Sequence, residues 1–111
     1  MRILLYGATG RTGQALAARL AERGLTVVLG GRSAERLAAL SSRLPRRPPW
    51  LALELEDQGA LMSGLEVFDW VLSCAGPFTK TAPILARAAI AASVDYADLT
   101  GEAESVRLLE A

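Results

Sequence analysis

Short apolar runs alternate with longer segments of helical pattern along the chain. The runs predict strands at Ile3–Tyr6, Val27–Gly30, Leu51–Leu55, Trp70–Ser73 and Tyr96–Asp98. The segments between them predict helices at Arg11–Arg23, Ala34–Arg43, Gln58–Gly64 and Thr81–Ala92, with a further helix beginning at Glu102. This alternation is typical of repeated βα units, in which helices pack on a parallel sheet.

Glycine and proline mark the expected element ends. Gly24 stands where the first helix should stop, and Pro45 ends the second helix. The basic residues Arg43, Arg46 and Arg47 fall on the connection that leaves this helix, where cations complement the helix dipole. We therefore interpret the basic cluster as a surface loop, in preference to a nucleic-acid patch.

Length and composition narrow the fold further. The chain has 111 residues, 51% of them hydrophobic and only 5% aromatic. This length is typical of one domain, residues 1–111, and this composition favours a core of Ala, Leu and Val under helices. A β-sandwich or a disulfide-rich fold is not expected.

The charge balance and the few reactive residue types exclude several function classes. Lys and Arg together number 12, as do Asp and Glu, so no overall field attracts nucleic acid or an anionic membrane. Cys74 is the single cysteine and the chain has no histidine, which excludes an internal disulfide and a soft-ligand metal site. No apolar stretch approaches the roughly 20 residues that span a bilayer. We expect a soluble cytoplasmic protein.

The strongest motif is the glycine run between the first strand and the first helix. Gly7 would let the chain turn sharply, Gly10 would let backbone approach a diphosphate, and Gly13 would let the helix pack closely. Free N–H groups of the first helical turn would then face the anion. The residues expected to hold a diphosphate are Gly7, Thr9, Gly10, Arg11, Thr12 and Gly13. The alternative is a tight βα turn without a ligand.

The end of the second predicted strand indicates which dinucleotide is bound. An NAD site usually has a carboxylate here, which accepts hydrogen bonds from the ribose 2′-hydroxyl. This chain has Arg32 and Ser33 instead. A guanidinium and a hydroxyl suit a 2′-phosphate, so the sequence predicts NADP. A solvated turn arginine and a simple helix cap at Ser33 are the alternatives, and the cap is compatible with phosphate binding.

Two further strand ends offer candidate contacts. After the third strand, Glu54 and Leu55 would lie near the adenine. Glu54 or Asp57 could accept from the adenine amino group, but Asp57 is equally well a helix cap. After the fourth strand, Ala75, Gly76 and Pro77 would let the dinucleotide pass close to the backbone. Cys74 precedes them, and without a histidine to activate it we interpret it as a packed thiol and not as a nucleophile.

These features together predict an α/β fold: a Rossmann-like, doubly wound parallel sheet of about five strands. Such folds normally continue to a sixth strand. We therefore expect the last strand of the full fold to be missing. The unfinished flank of the sheet would recruit a homodimer partner, or a missing catalytic domain or subunit.

Several of these motifs occur in the order seen in one family. The run Gly7-Ala8-Thr9-Gly10-Arg11-Thr12-Gly13, then Gly31-Arg32-Ser33, then Cys74-Ala75-Gly76-Pro77-Phe78 and Asp95–Glu102 resemble the N-terminal NADP-binding domain of the saccharopine dehydrogenase family. The trans-acting enoyl reductases are among its relatives. The resemblance implies an oxidoreductase whose cofactor lies on this domain, while a second domain supplies most of the substrate pocket.

The resemblance leaves the catalytic residues unassigned. We expect the chain to bind NADP(H) but hardly to turn over alone, either as part of a longer enzyme or as a chain completed by another subunit. The alternatives are a non-catalytic NADP sensor and an interaction module that has lost its ligand.

Overall fold

A computed structural model describes residues 1–74 and 78–98, in which five strands alternate with four helices. The strands are β1 (Arg2–Tyr6), β2 (Thr26–Gly31), β3 (Trp50–Ala52), β4 (Trp70–Ser73) and β5 (Asp95–Asp98). The helices are α1 (Arg11–Glu22), α2 (Ala34–Arg43), α3 (Gln58–Leu65) and α4 (Phe78–Ala91).

All neighbouring strands are parallel, and their order is β3-β2-β1-β4-β5. The chain first moves outward from β1 to β3, then returns to place β4 on the other side of β1. This order is that of the first five strands of a dinucleotide-binding sheet. The prediction of a Rossmann-like α/β fold is confirmed, and the topological switch point lies between β1 and β4.

Helices cover both faces of the sheet because side chains on the inner strands alternate in direction. In β1, Leu4 and Tyr6 pack under α3 and α4, whereas Leu5 packs under α1 and α2. Leu4 and Leu5 are fully buried, and burying each such side chain contributes about 1.5–3 kcal/mol. Two apolar layers therefore hold the carboxyl ends of β1, β2 and β4 at one edge.

The end of α1 is set by Gly24, as the sequence predicted. Gly24 adopts a left-handed φ of 73°, and its N–H donates to the carbonyl of Ala21 at 3.1 Å. The next N–H, that of Leu25, donates to the carbonyl of Leu20 at 3.4 Å. These two bonds form a Schellman motif, which satisfies carbonyls that the helix leaves without partners.

The connection from α2 to β3 is a surface loop, in agreement with the interpretation of its basic residues. Arg43, Arg46 and Arg47 are all exposed. The hydroxyl of the buried Ser41 donates to the carbonyl of Pro48 at 2.6 Å. This bond holds the loop against the end of α2, at the amino edge of the sheet, where β3 begins.

Two elements differ from their predicted bounds by more than one residue. β3 ends at Ala52 and not at Leu55, because β2 ends at Gly31 and leaves the next residues of the chain without a partner strand. α4 begins at Phe78 and not at Thr81, so Pro83 lies inside the helix and removes one N–H donor from it. The helix predicted from Glu102 lies outside the described residues.

Within residues 1–74 and 78–98, every helix is too short or too polar to cross a lipid bilayer. In the same part of the chain, no group of three or more His, Cys, Asp or Glu side chains is placed to hold a metal ion.

Candidate dinucleotide site at the carboxyl edge of the sheet

The loop after β1 turns sharply and is fastened to the neighbouring strand. Gly7 has a φ of 82°, a conformation that favours glycine. The N–H groups of Gly7 and Ala8 both donate to the carbonyl of Gly30, at 2.9 and 3.1 Å. The role predicted for Gly7 as the residue of the sharp turn is confirmed.

Gly13 brings α1 directly onto this loop. A Cβ atom at position 13 would lie 2.2 Å from the carbonyl oxygen of Gly7 and 2.7 Å from the Cα of Ala8. Neither backbone atom can move away as a flexible side chain could, so only glycine fits. Gly10 is different, because its Cβ would meet only the Gly7 carbonyl oxygen at an ordinary 3.5 Å. Close packing explains Gly13, and Gly10 instead presents exposed backbone at the start of the helix.

At the start of α1, no side chain accepts a hydrogen bond from the N–H groups of the first turn. Gly10 is the N-cap, no side chain caps the helix, and the first turn contains no acidic residue. The amide of Gln14 donates to the carbonyl of Thr9 at 2.7 Å and holds the loop in place. Arg11 and Thr12 are exposed beside it. N–H groups and a helix dipole at this position suit an anion such as a diphosphate.

At the end of β2, Arg32 and Ser33 are both exposed. The Ser33 hydroxyl accepts from the N–H of Arg36 at 3.2 Å, so it caps α2 as expected. Because a hydroxyl oxygen has two lone pairs and its own hydrogen, this cap leaves the O–H able to donate to a phosphate. The contact of Arg32 and Ser33 with a 2′-phosphate stays a prediction.

The segment after β3 is held by hydrogen bonds from two other strand ends. The N–H of Leu53 donates to the carbonyl of Gly31 at 2.8 Å, and the carbonyl of Leu53 accepts from the Tyr6 hydroxyl at 3.0 Å. Glu54 follows as an exposed residue, and Leu55 is half-buried. Of the four strand ends that precede predicted cofactor residues, those of β1, β2 and β3 are thus joined at Leu53.

Asp57, for which the sequence left two interpretations open, caps α3. Its carboxylate accepts from the N–H of Ala60 at 3.1 Å. The cap interpretation is confirmed, and the contact of Glu54 and Leu55 with an adenine stays a prediction.

Tyr6 is the part of this site that the sequence analysis missed. Only 2% of the residue is exposed, and burial raises the pKa of its phenol to about 12. The positive charge of Arg32 lowers this pKa, whereas the negative charges of Glu54 and Glu56 raise it further. These three charges are therefore close enough to act on the Tyr6 hydroxyl electrostatically. The available signal was a phenol within an aliphatic strand, since a buried tyrosine hydroxyl requires a partner.

The end of β4 lies beside this region. Ser73 pairs with Tyr6 in the sheet, and among the described residues its fully buried hydroxyl has no hydrogen-bond partner. Cys74 is half-buried against the α1 and α2 face, and its N–H donates to the Tyr6 carbonyl at 2.8 Å. The contacts predicted for Ala75, Gly76 and Pro77 lie outside the described residues.

Known proteins are similar in sequence to this chain. Residues 3–110 match the family model described as saccharopine dehydrogenase NADP binding domain. A trans-acting enoyl reductase of Mycobacterium tuberculosis is 40% identical over 105 residues, and one of Mycobacterium ulcerans is 37% identical over 105 residues. Each alignment covers 90% of this chain and 25% of the relative, so the chain spans about a quarter of the length of these relatives.

The fold is also found in a solved structure, that of apo saccharopine dehydrogenase from Saccharomyces cerevisiae. The two superpose with a TM-score of 0.78 at 26% sequence identity, over 97% of this chain and 23% of the yeast chain. The family match, the strand order and the close packing of α1 at Gly13 all indicate a dinucleotide-binding domain. The chain belongs to the saccharopine dehydrogenase NADP-binding domain family, and its cofactor is NADP.

Proposed function

We propose that this chain is the NADP(H)-holding part of a saccharopine dehydrogenase-like oxidoreductase, and that further chain or a partner subunit supplies most of the substrate pocket. The observation that carries this proposal is the start of α1, where Gly13 packs on the loop and no side chain caps the helix. The chain spans 25% of the length of the relatives, which supports the proposal that another part of the enzyme binds most of the substrate.

Each strand end has a distinct role in this proposal. The α1 start holds the diphosphate, the end of β2 holds the 2′-phosphate, the exit of β3 meets the adenine, and the segment after β4 passes along the dinucleotide backbone. The residues proposed to hold the cofactor are Gly7, Thr9, Gly10, Arg11, Thr12, Gly13, Arg32, Ser33, Glu54, Leu55, Ala75, Gly76 and Pro77.

Bound NADP(H) would supply or accept a hydride, and the residues of this chain would bind and orient it. Tyr6 is not suited to acid–base catalysis in spite of its position. Its hydroxyl is buried, is engaged with the Leu53 carbonyl, and has its pKa raised to about 12. A general acid needs access to the substrate and a pKa nearer the working pH.

The test is Arg32→Ala, with binding of NADP and NAD measured by isothermal titration calorimetry. A guanidinium that meets the 2′-phosphate contributes about 1.5–3 kcal/mol, so NADP should bind roughly 10- to 150-fold more weakly while NAD is little changed. Arg43→Ala is the matched control, since it removes the same charge from the far end of α2. Equal losses for both cofactors in Arg32→Ala would reject the 2′-phosphate contact.

A second experiment tests whether a further domain or subunit is needed for catalysis. The isolated chain should bind NADPH yet transfer hydride at a negligible rate. Hydride transfer by the isolated chain at rates typical of enzymes would contradict the proposed need for a further domain or subunit.

A further inference from the structure

The backbone of Leu53 is hydrogen-bonded to the ends of two other strands, so it joins three strand ends. Its N–H is bonded to Gly31, the residue before Arg32, and its carbonyl is bonded to Tyr6, the residue before Gly7. Leu53 itself is followed by Glu54. Each of these residues thus lies next to a residue proposed to hold a different part of the cofactor.

The Tyr6 side chain makes a contact that the sheet cannot make. β2 lies between β1 and β3, so the backbones of Tyr6 and Leu53 are not neighbours in the hydrogen-bond ladder. The position that pairs with Tyr6 on the intervening strand is Gly30, which has no side chain. The Tyr6 hydroxyl reaches past β2 and donates to the Leu53 carbonyl at 3.0 Å, across 47 residues of sequence.

We propose that Tyr6 is a positioning residue for the adenine end of the cofactor site: its hydroxyl, through the Leu53 carbonyl, holds the start of the β3–α3 loop where Glu54 and Leu55 meet the adenosine. This inference rests on the proposed function. It extends that function, because Tyr6 itself is buried and acts through Leu53 without touching the cofactor.

The Leu53 side chain packs in the core, but among the described residues few other hydrogen bonds fix the backbone of this stretch. β3 is only three residues long and lies at the edge of the sheet. After the Leu53 N–H, its ladder to β2 ends. The Asp57 cap fixes the far end of the loop at α3. The Tyr6 bond fixes its near end, so the residues between are held from both sides.

The test is Tyr6→Phe, which keeps the buried ring and removes only the hydroxyl. NADP and NAD should both bind about fivefold more weakly, because each carries the adenosine that meets the loop, and their affinity ratio should stay unchanged. In the absence of cofactor, amide hydrogen exchange at residues 53–57 should be faster in Tyr6→Phe than in the wild-type chain. Binding is measured at a temperature where both proteins are fully folded, so a loss of global stability alone does not change it.

Ser41→Ala is the matched control. It also removes a buried hydroxyl that bonds to a loop carbonyl, that of Pro48, but at the amino edge of the sheet. It should lower the melting temperature without changing affinity for either cofactor or exchange at 53–57.

Each outcome decides between named alternatives. Unchanged affinity in Tyr6→Phe overturns the positioning role, as does weaker binding with unchanged exchange at 53–57. A change in the NADP to NAD ratio would assign the effect to Arg32 and also overturn it. If the wild-type chain binds neither cofactor, the proposed function itself fails, and this result is distinct from the others.

Discussion

Helices α1 and α2 both begin at the carboxyl edge of the sheet, yet their first turns are completed in different ways. At α2, the Ser33 hydroxyl accepts a backbone N–H, and Glu35 adds a negative charge to the first turn. At α1, Gly10 occupies the cap position, and the first turn has neither a side-chain cap nor an acid. α3 follows the pattern of α2, with Asp57 as its cap.

The difference lies in what satisfies the N–H groups at the start of each helix. Four such groups lack intrahelical acceptors, and an acceptor must come from a side chain, from water or from a ligand. α2 and α3 supply their own acceptor. α1 leaves its first turn open and brings it close to the strand ends through Gly13. The helix start suited to an anion is therefore recognised both by its glycines and by the absence of a cap.

The largest effect should come from closing the space that Gly13 leaves. In Gly13→Ala the new methyl group would lie 2.2 Å from the Gly7 carbonyl oxygen, so the loop and the helix must separate. Overpacking of this kind costs about 1–3 kcal/mol of folding stability. Because the displaced loop no longer presents its N–H groups together, NADP should bind at least about 100-fold more weakly, a change of some 2.7 kcal/mol.

Gly59→Ala provides the control for the Gly13 variant. Gly59 lies in the first turn of α3, and a Cβ there would meet only an Asp57 carboxylate oxygen at 3.9 Å. Alanine is the better helix former by up to about 1 kcal/mol, so this variant should be as stable as the parent or more stable, with unchanged binding. Thermal melts and calorimetry measure both quantities. Full NADP affinity in Gly13→Ala would contradict the role of close packing.

A second variant gives α1 the kind of start that α3 has. In Gly10→Asp the carboxylate should cap the helix and interact with its dipole, raising stability by roughly 0.3–1 kcal/mol. The backbone at position 10, with φ −72° and ψ 169°, accommodates an L residue. The same carboxylate would occupy the anion position and repel a diphosphate, so NADP affinity should fall about tenfold or more.

Gly10→Asn separates the two effects of that variant. Asparagine caps a helix about as well as aspartate but is neutral. It should raise stability to a similar degree and weaken NADP binding less than Gly10→Asp does. If Gly10→Asp raised stability and left affinity intact, the diphosphate would have to lie elsewhere.

The sequence predicted those features that depend on one residue and its immediate neighbours. Gly7 and Gly24 adopt the left-handed conformations that their turn and helix end require. Ser33 and Asp57 cap the helices that follow them. Gly13 has the close helix contact that its position in the motif indicated. In each case the spacing of glycines, caps and apolar runs carried the information.

The features that the sequence did not predict depend on contacts between distant segments. The early end of β3 follows from where β2 stops, and β2 stops because Ser33 begins α2. The bond from Tyr6 to Leu53 joins residues on strands that are not adjacent in the sheet, so no local pattern could indicate it. Tyr6 gave only a general signal, a phenol that needed some partner.

The smallest effect should come from removing a cap at a helix start outside the residues proposed to hold the cofactor. Asp57→Ala should lower stability by about 1 kcal/mol, because the N–H of Ala60 loses its acceptor. NADP affinity should be unchanged, which is the reverse of the behaviour expected at Gly10. Asp57→Asn, which can still cap α3, should leave stability and affinity near the parent values. Weaker NADP binding by Asp57→Ala at a temperature where it is fully folded would mean that this carboxylate also contacts the adenosine, and the contrast between α1 and α3 would then fail.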